Sequence, residues 1–236
     1  MRILACGAHP DDVEIGCGAT LAQAAAHGHE VGILDLTRGE MGSNGSPEQR
    51  ADEAAAAAEI LGVDGRYQAG LPDGFLNSAD PAQCLALAAI LRDRRPELLI
   101  LPAPENRHPD HDQAHRLCRD AAFKAGLSAL DLPGEPWRPR LMLAVMERRV
   151  LAPQFIVPTE EGAAAKEKAL SCYGSQFFRG DGRSETLIND PRFLEWIRAR
   201  DAYYGGLARA GSGEPFLALG PVVLEDLTPL AARLSP

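Results

Sequence analysis

Residues 1–18 read MRILACGAHPDDVEIGCG, and the decisive part is AHPDDV at 8–13, where a short apolar run ends in a histidine, a proline and two adjacent carboxylates. An apolar strand over residues 3–8 is the expected opening of a parallel α/β sheet. In a nucleotide-binding βαβ unit the next turn would carry GxGxxG, so that bare backbone can approach a pyrophosphate. Here Gly16 and Gly18 come too late for that, and the turn offers instead one imidazole and two carboxylates, with Pro10 limiting how far it can relax. Those side chains suit metal ligation and proton transfer.

Working outward, strand-length apolar runs alternate with alanine- and leucine-rich stretches of helical period, the pattern of βαβ units. The spacing predicts helices over 19–27, 48–61, 81–94 and 112–125, and strands over 31–37, 66–69, 98–101 and 140–146. Past residue 150 the alternation weakens, leaving a short extended piece at 155–157 and helices over 161–173 and 191–207 that are expected to cover one side of the sheet. The fold class is therefore α/β: a Rossmann-like, doubly wound, mostly parallel sheet with helices on both faces and C-terminal helical additions, forming one domain over 1–236. The stretches 42–47 and 180–184 read as exposed connecting loops.

Composition narrows the function. A net charge of −9 lacks the basic stripe of a general nucleic-acid binder. No apolar run is long enough for a membrane span and no secretory signal is evident, so a cytoplasmic location is expected. The five cysteines are widely spaced without a CxxC pair and read as reduced, mostly buried thiols.

A second concentration of ligand chemistry follows the strand at 98–101, where PAPENRHPDHDQAH places His108, Asp110, His111 and His115 within eight residues. In a doubly wound sheet the first and fourth strands lie side by side, so the loops at their carboxyl ends share a crevice. A divalent metal there could take His9, Asp12 and His111, two nitrogens and one oxygen, a set that suits Zn2+ with a position left open. Asp11 is then free to act as the base. His108 is placed to stabilise an oxyanion and to donate a proton to a leaving amine, with Asp110 either orienting that imidazole or supporting a metal-bound histidine. His115, one turn after His111, reads as a helical polar partner or an extra ligand. His27 and His29 close a helix end, where cations suit the dipole.

Several segments together resemble one family: AHPDDVEIGCG from residue 8, TRGEMGSNG at 37–45, RADEAAAAAEILG from Arg50, LPDGFL at 71–76, NRHPDH at 106–111 and KALSCYGSQF at 168–177. The chain resembles the LmbE-like (PIG-L) zinc-dependent N-acetylglucosamine deacetylases, and among them those that deacetylate N-acetylglucosaminyl-malate in bacillithiol synthesis. The resemblance implies His9, Asp12 and His111 as metal ligands, Zn2+ or another divalent ion as cofactor, Asp11 as general base, and His108 as the acid or oxyanion-stabilising residue. It assigns Asp110 to orienting a histidine. Arg50 matches an arginine used towards the polar end of the substrate, with Arg38 and Arg107, together with Glu14, Glu40 and Asp73, as lesser candidates. It further implies a small amino-sugar substrate and a homo-oligomer, trimeric or hexameric. Pro158 departs from the acidic residue usual at that place in this subfamily. Two rivals stand beside this reading: a deacetylase or amidase acting on another N-acetyl amino sugar or thiol conjugate, and a non-catalytic sugar- or nucleotide-binding module.

Overall fold

The computed structural model describes residues 1–145 and 152–223. Its centre is a seven-stranded sheet in the order β3-β2-β1-β4-β5-β7-β6. Strands β1 (Ile3–Gly7), β2 (Val31–Asp35), β3 (Gly65–Gln68), β4 (Leu98–Pro102) and β5 (Leu141–Val145) run parallel. β7 (Gly213–Ala218) is antiparallel to both β5 and β6 (Phe155–Pro158). The α/β, mostly parallel architecture expected from the sequence is thus present. The strand expected at 140–146 runs to Val145, with residue 146 outside the described residues.

Alternation along the strands sends side chains to two cores. Ile3 and Ala5 of β1 join Val31 and Ile33 under α1 (Asp12–Ala26), α2 (Pro47–Leu61), α5 (Glu160–Cys172) and α7 (Arg192–Leu207), while the short α6 (Gly174–Phe177) adds Phe177. Leu4 and Cys6 point the other way, with Leu34, Leu99 and Leu101, under α3 (Pro81–Arg94) and α4 (Pro109–Ala125). This period-two partition is what a sheet buried on both faces requires.

Two expectations change. The helices expected at 19–27 and 112–125 start earlier, at Asp12 and Pro109. Both HPD stretches therefore occupy helix N-termini rather than free loops. Pro10 precedes the N-cap of α1, whereas Pro109 opens α4, where a missing N–H costs nothing, as Pro47 and Pro81 do for α2 and α3 behind the caps Ser46 and Asp80. In addition, the C-terminal part does more than cover a face, because β7 enters the sheet between β5 and β6. Pro215 argues against a ladder strand in GEPFLA, yet the β5 pairing involves Phe216 to Ala218 and leaves Pro215 beyond it. Pro158 ends β6, an edge strand, where a missing donor is tolerated.

Because β1 pairs with β4 while the chain winds outward from each in opposite directions, the carboxyl ends of these two strands flank the switch-point crevice. Everything described next sits there.

Candidate metal centre and active site

Two turns build the site. After β1 the chain reaches Asp11, whose φ of 110° puts a non-glycine residue in the left-handed region at the N-cap of α1. This strained turn swings Asp12 back so that its Oδ2 accepts from the His9 backbone N–H at 2.8 Å. After β4, His108 caps α4, its Nδ1 accepting from the Asp110 backbone N–H at 3.3 Å, and His111 follows in the first turn.

The structure brings His9, Asp12 and His111 to one point. Asp12 Oδ2 lies 3.4 Å from His9 Nδ1 and 3.3 Å from His111 Nε2, and the two imidazole nitrogens are 3.3 Å apart. Ligands about 2.0–2.1 Å from a tetrahedral ion are separated by about 3.3–3.4 Å, so the donor set and its spacing fit such an ion. His108 completes a trio of imidazoles, its ring 4.9 Å from that of His9 and 5.0 Å from that of His111.

Behind His9 stand two carboxylates. Its Nε2 is 2.9 Å from Asp73 Oδ1 and 3.4 Å from Asp110 Oδ2. Asp110 also accepts from the Gly74 and Leu76 backbone N–H groups at 2.7 and 3.3 Å, and Asp73 from that of Met41 at 2.8 Å. Of the two roles open to Asp110, its carboxylate meets His9, and only its backbone meets His108. Asp73 is the residue whose importance the sequence understated. Nothing in LPDGFL alone indicates that the loop after β3 reaches the histidine after β1.

Electrostatics follow from burial and pairing. Burial alone would raise the Asp12 carboxyl, but the His111 charge and the bonds from His9 outweigh it and hold it well below the usual carboxylate range. Asp11 is pushed up to about 8 by burial, which the Arg50 guanidinium only partly offsets and the neighbouring Asp12 charge reinforces. Burial lowers the affinity of His9 for a proton, yet bonds to Asp110, Asp12 and Asp73 leave it well above the ordinary imidazole value. His108 is lowered, chiefly by burial and then by the His9 and His111 charges. A divalent cation beside these groups would lower the carboxyl and imidazole values further.

The three arginines have different fates. Arg50 is buried, donating to the Pro10 carbonyl at 2.7 Å and the Gly39 carbonyl at 3.1 Å, with Asp11 Oδ2 at 3.4 Å. These bonds brace the strained turn, while Arg50 also lines the cavity expected to take the substrate. Arg38 pairs with Glu48 at 3.0 Å and lines a separate cleft with Asp35 and Arg66, so it is not brought to the site. Arg107 lines the site's cavity, exposed and without an ion-pair partner among the described residues.

Among the lesser candidates, Glu40 accepts from the Arg38 and Asp73 backbone N–H groups at 3.1 and 3.0 Å. Glu14 is buried, bonded to Arg66 and, at 2.8 Å, to the Tyr173 hydroxyl. His115 contacts the Pro102 carbonyl at 2.8 Å, which makes it a helical polar partner. All five cysteines are free, four of them buried. The cavity measures about 430 Å³, within the usual range for small-molecule sites. The loop at 42–47 is not the free connector expected, since Asn44 is buried and bonded through both side-chain atoms to the Ser184 backbone at 2.9 Å.

A doubly wound sheet with a two-histidine, one-aspartate cluster at its switch point defines a class of candidate metallohydrolase. Residues 4–122 match the sequence model of the family described as PIG-L: GlcNAc-PI de-N-acetylase, and the chain belongs to this family. A 1D-myo-inositol 2-acetamido-2-deoxy-alpha-D-glucopyranoside deacetylase from Rhodococcus opacus is 32% identical over 58% of this chain and 58% of its own length. Across three such relatives the matched region spans 58%, 65% and 62% of the relative. Among solved structures, a conserved protein from Thermus thermophilus is 41% identical, with a TM-score of 0.87 over 95% of this chain and 97% of that one. The N,N'-diacetylchitobiose deacetylase from Pyrococcus horikoshii is 25% identical, with a TM-score of 0.79 over 92% of this chain and 83% of that one. No described helix is long and apolar enough to cross a membrane.

Proposed function

We propose that the protein is a metal-dependent amidohydrolase that removes acetate from an N-acetylated amino sugar. The observation that carries this reading is the mutual 3.3–3.4 Å spacing of His9 Nδ1, Asp12 Oδ2 and His111 Nε2, with Asp11 buried beside them. These three residues would hold the ion, and two nitrogens with one carboxylate oxygen favour zinc over magnesium or calcium. When bound, zinc supplies a Lewis acid that polarises a carbonyl and makes water nucleophilic near neutral pH.

The chain's own groups do the rest. Asp11 Oδ takes a proton as a water oxygen adds to the acetamide carbon. The C–N bond then breaks, the amine nitrogen taking up the proton that Asp11 received and acetate leaving. Because His108 Nδ1 accepts from Asp110 N–H, its proton resides on Nε2. The neutral ring, favoured by its lowered pKa, serves as a hydrogen-bond donor to the developing oxyanion. Asp73 and Asp110 accept from His9 Nε2–H, leaving its Nδ1 lone pair for the ion. Arg50 holds the Asp11 turn, and Arg107 is the cation left to meet an anionic group on substrate.

For the substrate, the relatives support the broader of the sequence readings. The curated ones are named for an inositol-linked amino sugar. We therefore favour a conjugate other than N-acetylglucosaminyl-malate, with assembly into a trimer or hexamer retained as part of the proposal. Purified protein incubated with a panel of N-acetylglucosamine conjugates should release acetate, lose that activity on chelation and regain it with added zinc. Full turnover by metal-free protein overturns the reading.

A further inference from the structure

Part of the lining of the cavity that holds the catalytic cluster is apolar. Ile15 and Phe193 are buried, at 5% and 6% exposure, whereas Leu187 is 44% exposed and Met41 66%. Ile188 joins them in the lining. Leu187 and Met41 therefore leave apolar surface open to whatever occupies the cavity.

The backbone presenting it is tied down by two buried asparagines. Asn44 bonds both the carbonyl and the N–H of Ser184 at 2.9 Å. Asn189 donates to the same carbonyl at 2.9 Å and accepts from the Thr186 N–H at 2.9 Å. Asn44 and Asn189 are 8% and 1% exposed. Buried amides used in this way fix the loop and hold Leu187 and Ile188 at the cavity surface.

Resting on the proposed deacetylation, we propose that this wall is an aglycone subsite, and that the substrate is an N-acetylated amino sugar carrying an apolar alkyl or aryl group. The acetamide has to reach the buried metal cluster, so the opposite end of the substrate lies at the mouth, where Leu187 and Met41 are exposed. Aliphatic side chains there match alkyl or aryl surface. Of the arginines lining the cavity among the described residues, Arg50 is bonded to the Pro10 and Gly39 carbonyls and Arg107 is exposed.

The test uses metal-loaded full-length protein and methyl, butyl and hexyl glycosides of N-acetylglucosamine, both anomers, with the malate conjugate alongside. Each methylene seated on the wall is expected to lower KM about 3–4-fold with kcat little changed, since about 0.8 kcal/mol accompanies its burial. In the Leu187→Asn/Ile188→Asn variant the ratio of KM values along the series should fall towards one. Calorimetric titration of methyl and hexyl glucosaminides supplies a readout independent of turnover, the hexyl compound binding more tightly to wild type only. A flat alkyl series, lowest KM for malate, or a gain only on lengthening the N-acyl chain overturns the aglycone assignment while leaving deacetylation standing. Absence of amine release from every compound sinks the deacetylase reading instead, and the titrations then decide the subsite alone.

Discussion

At the scale of single residues, the division of labour between two adjacent aspartates is the sharpest consequence of the structure. Asp12 faces both histidines, whereas Asp11 occupies a left-handed turn beside Arg50. Asp11→Asn should therefore keep its metal, read by elemental analysis, while turnover falls roughly 10²–10⁴-fold, the usual contribution of a positioned base. Loss of metal in that variant would reverse the two assignments. The same carboxyl sets a pH dependence. Its folded pKa of about 8 exceeds the unfolded value near ~3.9, so its contribution to stability is full below ~4 and is lost as pH rises through about 8. Urea unfolding of chelated protein between these limits should show a decline with pH that Asp11→Asn flattens. Asp73 is testable in the same way: Asp73→Asn should weaken metal affinity about 10–100-fold, as measured by competition with a chelating dye.

At the scale of elements, α1 carries the first half of the site and is broken at Cys17, where φ is −146°. The break frees backbone groups, and the C-terminal part supplies partners for them. Glu214 of β7 accepts from the Ala19 and Thr20 N–H groups at 3.1 and 2.7 Å, while Arg200 of α7 donates to the Ile15 carbonyl at 2.7 Å. Lys166 of α5 joins the knot through Asp201 at 2.7 Å and Glu214 at 2.6 Å. Two cations and two carboxylates buried together balance one another, and removing Lys166 leaves an uncompensated carboxylate. Lys166→Met should cost about 3–5 kcal/mol in equilibrium unfolding, with metal affinity affected far less than by changes at His111. The tight crossing of α1 and α5 explains Gly162, where a Cβ would fall 2.0 Å from the Ala19 carbonyl oxygen. Such long-range repairs are why the reading of this helix from sequence began late. Two glycines around a cysteine look like a break, and nothing nearby shows that β7 and α7 mend it.

At the scale of the whole molecule, the sheet holds two distant sequence segments at one rim, and a ligand bridging them should stabilise the assembled fold. Ions binding the folded form alone add RT ln(1 + [L]/Kd), about 2.7 kcal/mol at a hundredfold excess over Kd. Thermal scans with and without chelator should therefore separate by several degrees, and His111→Ala should abolish the difference. That β1 and β4 are apolar strands was legible from sequence, as were α2, α3 and the end of α4, but the sorting of Ile3 and Ala5 from Leu4 and Cys6 onto opposite faces came from the structure. β7 was not. Its strand character depends on pairing with β5 and β6, and Pro215 obscures it locally.

What the sequence determined by itself was local: the period of each strand and helix, the prolines that open helices, and two clusters of imidazole and carboxylate of the right chemistry. What only the tertiary structure decided was pairing across distance. It set Asp73 and Asp110 behind His9, turned Arg50 inward to brace Asp11, kept Arg38 away, and tied Asn44 to Ser184 so that Leu187 faces the cavity. The physical reason is that a side chain's role depends on which partner compensates its burial, and that partner comes from the order of the strands rather than from neighbours in the chain.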